Sequence, residues 1–312
     1  MAGEAPYPPL PLANRVGSLE AAADPYELYE ELGRRARADI ERVLPDGFGF
    51  EGLTVLDFGC GAGRTLRHFL PEAESAELWG CDIDPESVAW LEANLSPPLP
   101  QPDETFDLIW AVSVFTHLVE SWSTWLLELR RVLKPGGLLV ATFMGQGMSE
   151  LIAGEEWHEE RIGMNVLRYG QSWDLGGPMV LHSPWWIHEH WGRAFEVLRL
   201  VPSGFAIDGD SGQGIAVLRK TPGEVTREEL ERIDPADPRE AAALRHQVSQ
   251  LHAEIADLRH TLDYERGLAA EVASAKQTIV DSRSWRLTEP LRRAAELARR
   301  RGRRTAARRP RP

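Results

Sequence analysis

Short apolar runs alternate with apolar stripes at helical spacing along the first two thirds of the chain. Val55, Leu56 and Phe58, inside Thr54 to Gly63 (TVLDFGCGAG), read as a strand covered on both faces that runs straight into a glycine-rich turn. Ala76 to Asp82, Phe106 to Val112 and Leu138 to Phe143 read as three more strands. Between them the spacing predicts helices from Arg64 to Leu70, stopped by Pro71, and from Asp84-Pro85 through Val88, Leu91 and Leu95. A further helix is capped by Ser121, carries the stripe Trp122, Trp125, Leu126, Leu129 and Leu133, and ends at Lys134-Pro135-Gly136-Gly137. Strand, helix, strand, helix at this spacing predicts an α/β fold with a doubly wound, mostly parallel sheet and right-handed crossovers.

Upstream, Tyr26, Leu28, Tyr29, Leu32, Ala36, Ile40 and Val43 predict one amphipathic helix with Asp24 as its cap and Pro25 in its first turn. It either closes over the glycine loop as a lid or only covers the sheet. Met144 to Ser183 is irregular and too long for a plain connection, which points to a functional or mobile segment. A helix around Pro184 to Ala194 follows, and Phe195 to Val201 with Gly214 to Arg219, either side of GDSGQG, reads as an edge hairpin. The organisation expected is a mobile arm over 1–23, a domain over 24–220, a linker over 221–238, a coiled coil over 239–281 and an Arg-rich tail over 282–312. The coiled coil rests on Leu244, Val248, Leu251, Ile255, Leu258 and Leu262, continued by Ala269, Val272 and Ile279 and interrupted by Glu265 and Lys276. It would make the protein a homo-oligomer; the alternative is one long helix folded back on the body.

Composition refines this picture in three places. A chain of 312 residues with 43% hydrophobic content suffices for one large core plus an appendage. No apolar run reaches the length of a spanning helix, and MAGEAPYPPLPLANRVG lacks a basic start and an apolar signal core, so the cytoplasm is the expected compartment. Cys60 and Cys81 are the only cysteines, with no CxxC pair or His/Cys cluster, so neither a disulfide framework nor a metal site is indicated. The net charge of −13 hides a basic tail, with twelve arginines from Arg283 onward against Glu289 and Glu296. An acidic body of this kind does not suit nucleic acid.

The chemistry concentrates in Asp57-x-Gly59-x-Gly61-x-Gly63. It departs from a dinucleotide fingerprint, because GxGxxG would need glycine where Arg64 stands. Loop N–H groups at a helix start suit a small carboxylate, and the acid two residues before the first glycine suits a positive charge. A zwitterionic amino-acid end satisfies both. Asp82 follows about 20 residues later at a strand end, where an acid binds ribose hydroxyls; Asp84 reads better as a helix cap.

Four motifs in order resemble the class I S-adenosylmethionine-dependent methyltransferases: VLDFGCGAGRTLRHF, GCDIDPESVAWLEANL, FDLIWAVSVFTHL and RRVLKPGGLLVATF. The resemblance covers most of residues 24–220. It implies a Rossmann-like seven-stranded sheet with one antiparallel edge strand, S-adenosyl-L-methionine as cofactor, and cofactor contacts from Asp57, Gly59, Cys60, Gly61, Gly63, Asp82, Ile83 and Val112. The third strand is expected to be shortened or missing, since SPPLPQPDETF stands where it should be, and this puts the adenine contacts in doubt.

For a hydroxyl acceptor a base helps, and His117, at the end of the fourth strand of that family, is the candidate catalytic residue. His158, His182, His188 and His190 are further candidates, and Trp157, Trp173, Trp185, Trp186 and Trp191 either line an acceptor cleft or pack the core. The end of the chain, SRSWRLTEPLRRAAEL, resembles a short segment found in bacterial glycosyltransferases and methyltransferases that build cell-surface polysaccharides. That resemblance implies O-methylation of a sugar or glycan precursor. The alternatives are a small-molecule acceptor, or a methyltransferase-fold scaffold of a glycan-synthesis complex that no longer catalyses. The Arg-rich tail is expected either to rest on an anionic membrane surface or a glycosyltransferase-complex partner, or to be a solvated tail.

Overall fold

The computed structural model describes residues 7–14, 19, 22–82, 84, 99, 101–154, 156–171, 177–207, 211–290 and 292. The helix expected after Asp84, Ile83, Trp173 and the arginines beyond residue 292 lie outside the described residues. Two compact units divide the chain, Met1–Leu251 and His252–Pro312.

Within the expected mobile arm, α1 (Leu10–Ala13) forms one helical turn, and Ala13 and Leu19 are buried against Tyr29. These described residues therefore pack instead of trailing. Asp24 caps α2 (Pro25–Val43), its Oδ1 accepting the Tyr26 and Glu27 N–H groups at 2.9 and 3.1 Å. Steps of three and four bury Tyr29, Gly33, Ala36, Ile40 and Val43 on one face. The C-terminal half packs with Val55, Phe69 and Trp110 under the sheet, whereas the Tyr29 hydroxyl donates to the Ala62 carbonyl in the glycine loop at 3.1 Å. Each half of α2 thus serves one of the two readings of this helix.

The central sheet has six strands in the order β2-β1-β3-β4-β8-β7. β1 (Thr54–Phe58), β2 (Glu77–Cys81), β3 (Phe106–Ala111) and β4 (Leu133–Phe143) are parallel. Along β3 the side chains alternate between the two faces, and both faces are covered. Leu108 and Trp110 join the cluster that contains α2, and Ile109 and Ala111 join the opposite one. α3 (Trp122–Val132) lies on that opposite face; Ser121 precedes it without a side-chain cap.

Two local expectations change. A 3₁₀ segment, Leu66–Glu74, replaces the helix expected to stop at Pro71 and runs through that proline. Arg37 of α2 donates to the His68 carbonyl and to the Glu72 carboxylate, which ties down backbone that Pro71 cannot support with an N–H of its own. Lys134-Pro135-Gly136-Gly137 forms a bulge inside β4, between the Phe106–Leu133 and Leu108–Leu138 pairs, with Gly136 at φ +73°. Where a third strand would stand, Leu99 to Asp103 is held by α3 side chains. Glu128 accepts the Leu99 N–H at 2.6 Å, and Arg131 donates to the Leu99 and Gln101 carbonyls at 3.1 Å each.

The stretch from Met144 to Ser183 is largely structured. It holds α4 (Gln146–Ala153) and a small antiparallel sheet of β5 (Met164–Leu167) and β6 (Met179–His182). α5 (Pro184–His190) follows, capped by Ser183, then β7 (Phe195–Phe205) and β8 (Gln213–Lys220). β8 is antiparallel to both β4 and β7, so the reversed strand is second from the edge, not at it, and the sheet has six strands among the described residues.

The expected linker contains α6 (Arg227–Glu231), opened by a Thr226–Glu229 capping box, and Leu230 is fully buried. α7 (Pro238–Asp281) is a single helix of 44 residues, followed by α8 (Arg283–Leu287). Its first turns pack on the body. Gln247 accepts the Val166 N–H at 2.5 Å and donates to the Val166 carbonyl at 2.9 Å, completing the edge of β5. In the second unit α7 carries Ile255, Leu258, Leu262, Val272 and Ile279 exposed. No helix among the described residues is long and apolar enough to cross a membrane.

Candidate active site

The C-terminal ends of β1, β2 and β3 converge on the edge where ligands bind in open α/β sheets. β1 ends in Asp57 and Phe58, and the chain then turns through Gly59, Gly61 and Gly63, all at positive φ (+81°, +53° and +82°). Only glycine takes such a run without strain. At Gly59 a second constraint applies, since a Cβ there would collide with Val114, which follows β3.

Four of the loop N–H groups are engaged within the fold. Those of Gly59 and Cys60 donate to the Cys81 carbonyl at 2.8 and 2.9 Å, and that of Gly63 to the Cys60 carbonyl at 2.9 Å. Gly61 donates to Asp82 Oδ2 at 2.7 Å. A loop followed by a 3₁₀ turn closes on itself and on the neighbouring strand, which engages these four donors. The charge that sequence reasoning passed over is Arg64, which entered only as the residue that breaks a dinucleotide fingerprint. Burial holds its guanidinium below the usual range, and the neighbouring Tyr29 and Asp57 counter that effect.

Asp57 is buried and in register with Trp110 of β3. Burial pushes its carboxyl up to about 7, against the pull of Trp110 and with the added repulsion of Asp82. Its Oδ2 has no hydrogen-bond partner among the described residues, which leaves an acceptor beneath the loop. Asp82 accepts the Gly61 N–H with one oxygen and the Asp84 N–H with the other at 2.8 Å. A carboxylate has about four acceptor sites, so these two bonds leave capacity for hydroxyls. The Cys60 and Cys81 thiols are buried, and burial pushes both up, so neither is a thiolate nucleophile. Val112 is half-buried against the α2-side cluster.

Beyond Val112 the chain adds polar groups that the spacing alone did not flag. Ser113 takes a left-handed backbone, φ +61°, which is strained for a residue with a side chain. Its N–H donates to Thr142 Oγ1 of β4 at 2.7 Å, and its hydroxyl accepts from Gln213 Nε2 of β8 at 2.9 Å. The available signal was topological: all three stand at the same edge as the loop. His117 follows, with Nδ1 2.7 Å from the Pro178 carbonyl. A carbonyl only accepts, so Nδ1 carries hydrogen and the neutral ring keeps its lone pair on Nε2. Burial lowers its pKa below the ordinary histidine value, partly offset by the Pro178 carbonyl.

The other candidates fall away from this cluster. His158 and His188 are exposed. His190 is buried between the Leu230 carbonyl and Glu240, at 2.8 and 3.0 Å, as a structural tie. His182 is fully buried beside Trp186 and Trp191, with both ring nitrogens unpartnered among the described residues. Trp185, Trp186 and Trp191 belong to the main core, and Trp157 packs on a smaller cluster under β5 and β6. For these four tryptophans the core reading holds.

Residues 56–141 match the family model of the methyltransferase domain. The ubiquinone biosynthesis O-methyltransferase of Cereibacter sphaeroides is 32% identical over 143 residues, covering 40% of this chain and 56% of that protein. The 2-methyl-6-phytyl-1,4-hydroquinone methyltransferase of Synechocystis is 34% identical over 108 residues, covering 30% of this chain and 33% of that protein. A solved structure of the 1,6-didemethyltoxoflavin-N1-methyltransferase of Burkholderia thailandensis aligns over 70% of this chain and 93% of its own, at 16% identity and a TM-score of 0.45. The chain spans about half or less of the length of these two curated relatives. The buried acid, the glycine loop and the acid at the end of β2 fit S-adenosyl-L-methionine as the cofactor, and residues 56–141 match the methyltransferase domain.

Proposed function

We propose that the chain is an S-adenosyl-L-methionine-dependent O-methyltransferase acting, in the cytoplasm or at the inner face of the membrane, on a hydroxyl of a sugar or glycan precursor of a cell-surface polysaccharide. One observation carries the methyl-transfer reading: Asp57, the glycine loop, Asp82 and the Ser113–His117 turn all stand at one edge of the sheet. When bound, the cofactor supplies a methyl group on a positively charged sulfonium. Asp82 would hold the ribose hydroxyls with the acceptor capacity left after its two backbone bonds, and Arg64 would supply the positive charge for the carboxylate. Asp57 lies beneath the loop as the acid on the amino-group side. Most of the rate comes from alignment of the acceptor. His117 adds general-base help: its Nδ1–H is held by Pro178, and Nε2 receives the proton of the acceptor hydroxyl.

The glycan acceptor is supported by SRSWRLTEPLR near the end of the chain. A second reading, a small phenolic acceptor, is favoured by the quinone-pathway names of the relatives. Release of S-adenosylhomocysteine, followed with envelope glycan precursors and with simple phenols, separates the two. The expected result is turnover on the glycan precursor that is lost in His117→Ala while calorimetric cofactor affinity is kept. Turnover on phenols that survives truncation after Leu251 would select the small-molecule reading. No cofactor binding at millimolar concentration would overturn both and leave a scaffold without catalysis.

A further inference from the structure

Single apolar residues in solvent need no explanation, but a repeating stripe does. Along α7, Leu244, Val248, Ile255, Leu258 and Leu262 are 49%, 51%, 44%, 67% and 47% exposed. Together with Leu251 they recur in alternating steps of four and three, the period of a two-helix seam. The contacts that hold the first turns of α7 to the body come from other positions: Glu240, Ala243, Gln247 and Gln250. Leu251 is half-buried, and the other five seam residues are exposed among the described residues.

We propose that the occupant of this seam is a second copy of the chain, in a parallel, in-register, two-stranded coiled coil centred on Leu244 to Leu262. The residue types select this arrangement. The β-branched Val248 and Ile255, with Leu262, occupy the first core position of the heptad, and Leu244, Leu251 and Leu258 the fourth; β-branched residues at the first position with leucines at the fourth favour two parallel strands. The flanking charges agree. Parallel pairing sets Glu254 against Arg259 of the partner subunit, and the symmetric copy repeats the pair.

An antiparallel register can bury the same seam, with Leu251 on Ile255 of the partner subunit and Leu244 on Leu262 of the partner subunit. It sets like charges side by side, Glu254 beside Glu254 of the partner subunit and Arg245 beside Arg259 of the partner subunit, where parallel pairing joins opposite ones. The flanking charges therefore select the parallel arrangement. The dimer proposal does not depend on the methyl-transfer reading, since its test reads mass and not turnover.

The test is sedimentation equilibrium of the full chain at micromolar concentration, with four variants. Wild type is expected at twice the mass of one chain. Ile255→Asp is expected at the single mass with an unchanged melting transition of the domain, because that side chain touches solvent in the free chain. Glu254→Arg should weaken the dimer about five-fold, and the added exchange Arg259→Glu should restore it. Leu262→Cys should cross-link to itself under mild oxidation, since the native Cys60 and Cys81 are buried. A single-chain mass for wild type, a trimer mass, or a dimer in which Leu262→Cys fails to cross-link would each overturn the proposal.

Discussion

One carboxylate ties two strands of the site together. Asp82 Oδ2 accepts the Gly61 N–H at 2.7 Å, and its Oδ1 accepts the Asp84 N–H at 2.8 Å. The end of β2 therefore clamps the loop that follows β1, and the residue assigned to the ribose also fixes the loop beside it.

From this clamp a coupled loss is expected. Asp82→Asn keeps one acceptor but turns an amide nitrogen toward one of the two N–H groups, which costs about 1–3 kcal/mol for a desolvated donor left unpaired. Thermal melting without cofactor should fall by that amount, and calorimetric affinity for S-adenosyl-L-methionine should fall as well. An affinity loss with unchanged melting would mean that the clamp is idle in the free protein.

Asp57 should behave in the opposite sense. In the unfolded chain its carboxyl titrates near 3.8, and in the fold at about 7. Across that window the folded protein holds a proton that the unfolded chain has released, so stability declines as pH rises. Asp57→Asn removes the decline, and above pH 7 it should be more stable than wild type by about 2–4 kcal/mol while binding cofactor more weakly. Urea unfolding at pH 5 and pH 8 checks this. A variant that is less stable at both values would show that the buried charge is compensated in the fold.

Much of this site is written locally. Val55 to Phe58 needs only its apolar run, the loop needs only its glycines, and Asp24-Pro25 announces α2, so each is legible from a few adjacent residues. What the sequence hides depends on pairing between distant segments. Nothing local says that the Gly61 N–H goes to Asp82, or that Arg37 of α2 carries the backbone past Pro71. The 144–183 stretch looked irregular because β5 and β6 are only four residues each. Neither is long enough to show period-two alternation, and each finds its partner more than ten residues away. Ser113 escaped notice because glycine is the residue expected at positive φ, and a strained serine carries no compositional mark.

Acid sensitivity should trace to His182. Burial, with a smaller contribution from His190, pushes its pKa down to about 3. Below pH 6.5 the unfolded chain takes up a proton that the folded ring refuses, so stability falls with pH from 6.5 to about 3 and is full above 6.5. His182→Phe keeps the ring among Trp186 and Trp191 and removes two unpartnered nitrogens. It should be near neutral at pH 7 and more stable than wild type by about 2–3 kcal/mol two pH units below the ordinary histidine value. Melting curves across this range decide it; parallel curves for the two proteins would assign the sensitivity elsewhere.

The limit of the folded body can be tested at His190 and Glu240. His190 Nδ1 donates to the Leu230 carbonyl of α6, and its Nε2 lies 3.0 Å from Glu240 Oε1 in the first turn of α7, both side chains buried. One proton must sit between Nε2 and the carboxylate, and the bond joins α5, α6 and α7. Glu240→Leu leaves Nε2 buried without its partner and should cost about 3–5 kcal/mol. Glu240→Gln can offer an amide N–H to the neutral ring and should cost about 1 kcal/mol. Hydrogen exchange over residues 227–251 should rise sharply in the leucine variant and little in the glutamine one. That contrast would place α6 and the start of α7 inside the cooperative unit, and a truncation at Thr221 would then remove part of the core, Leu230 included. Equal, small effects from both substitutions would instead mean that the region beyond β8 folds and unfolds apart from the sheet.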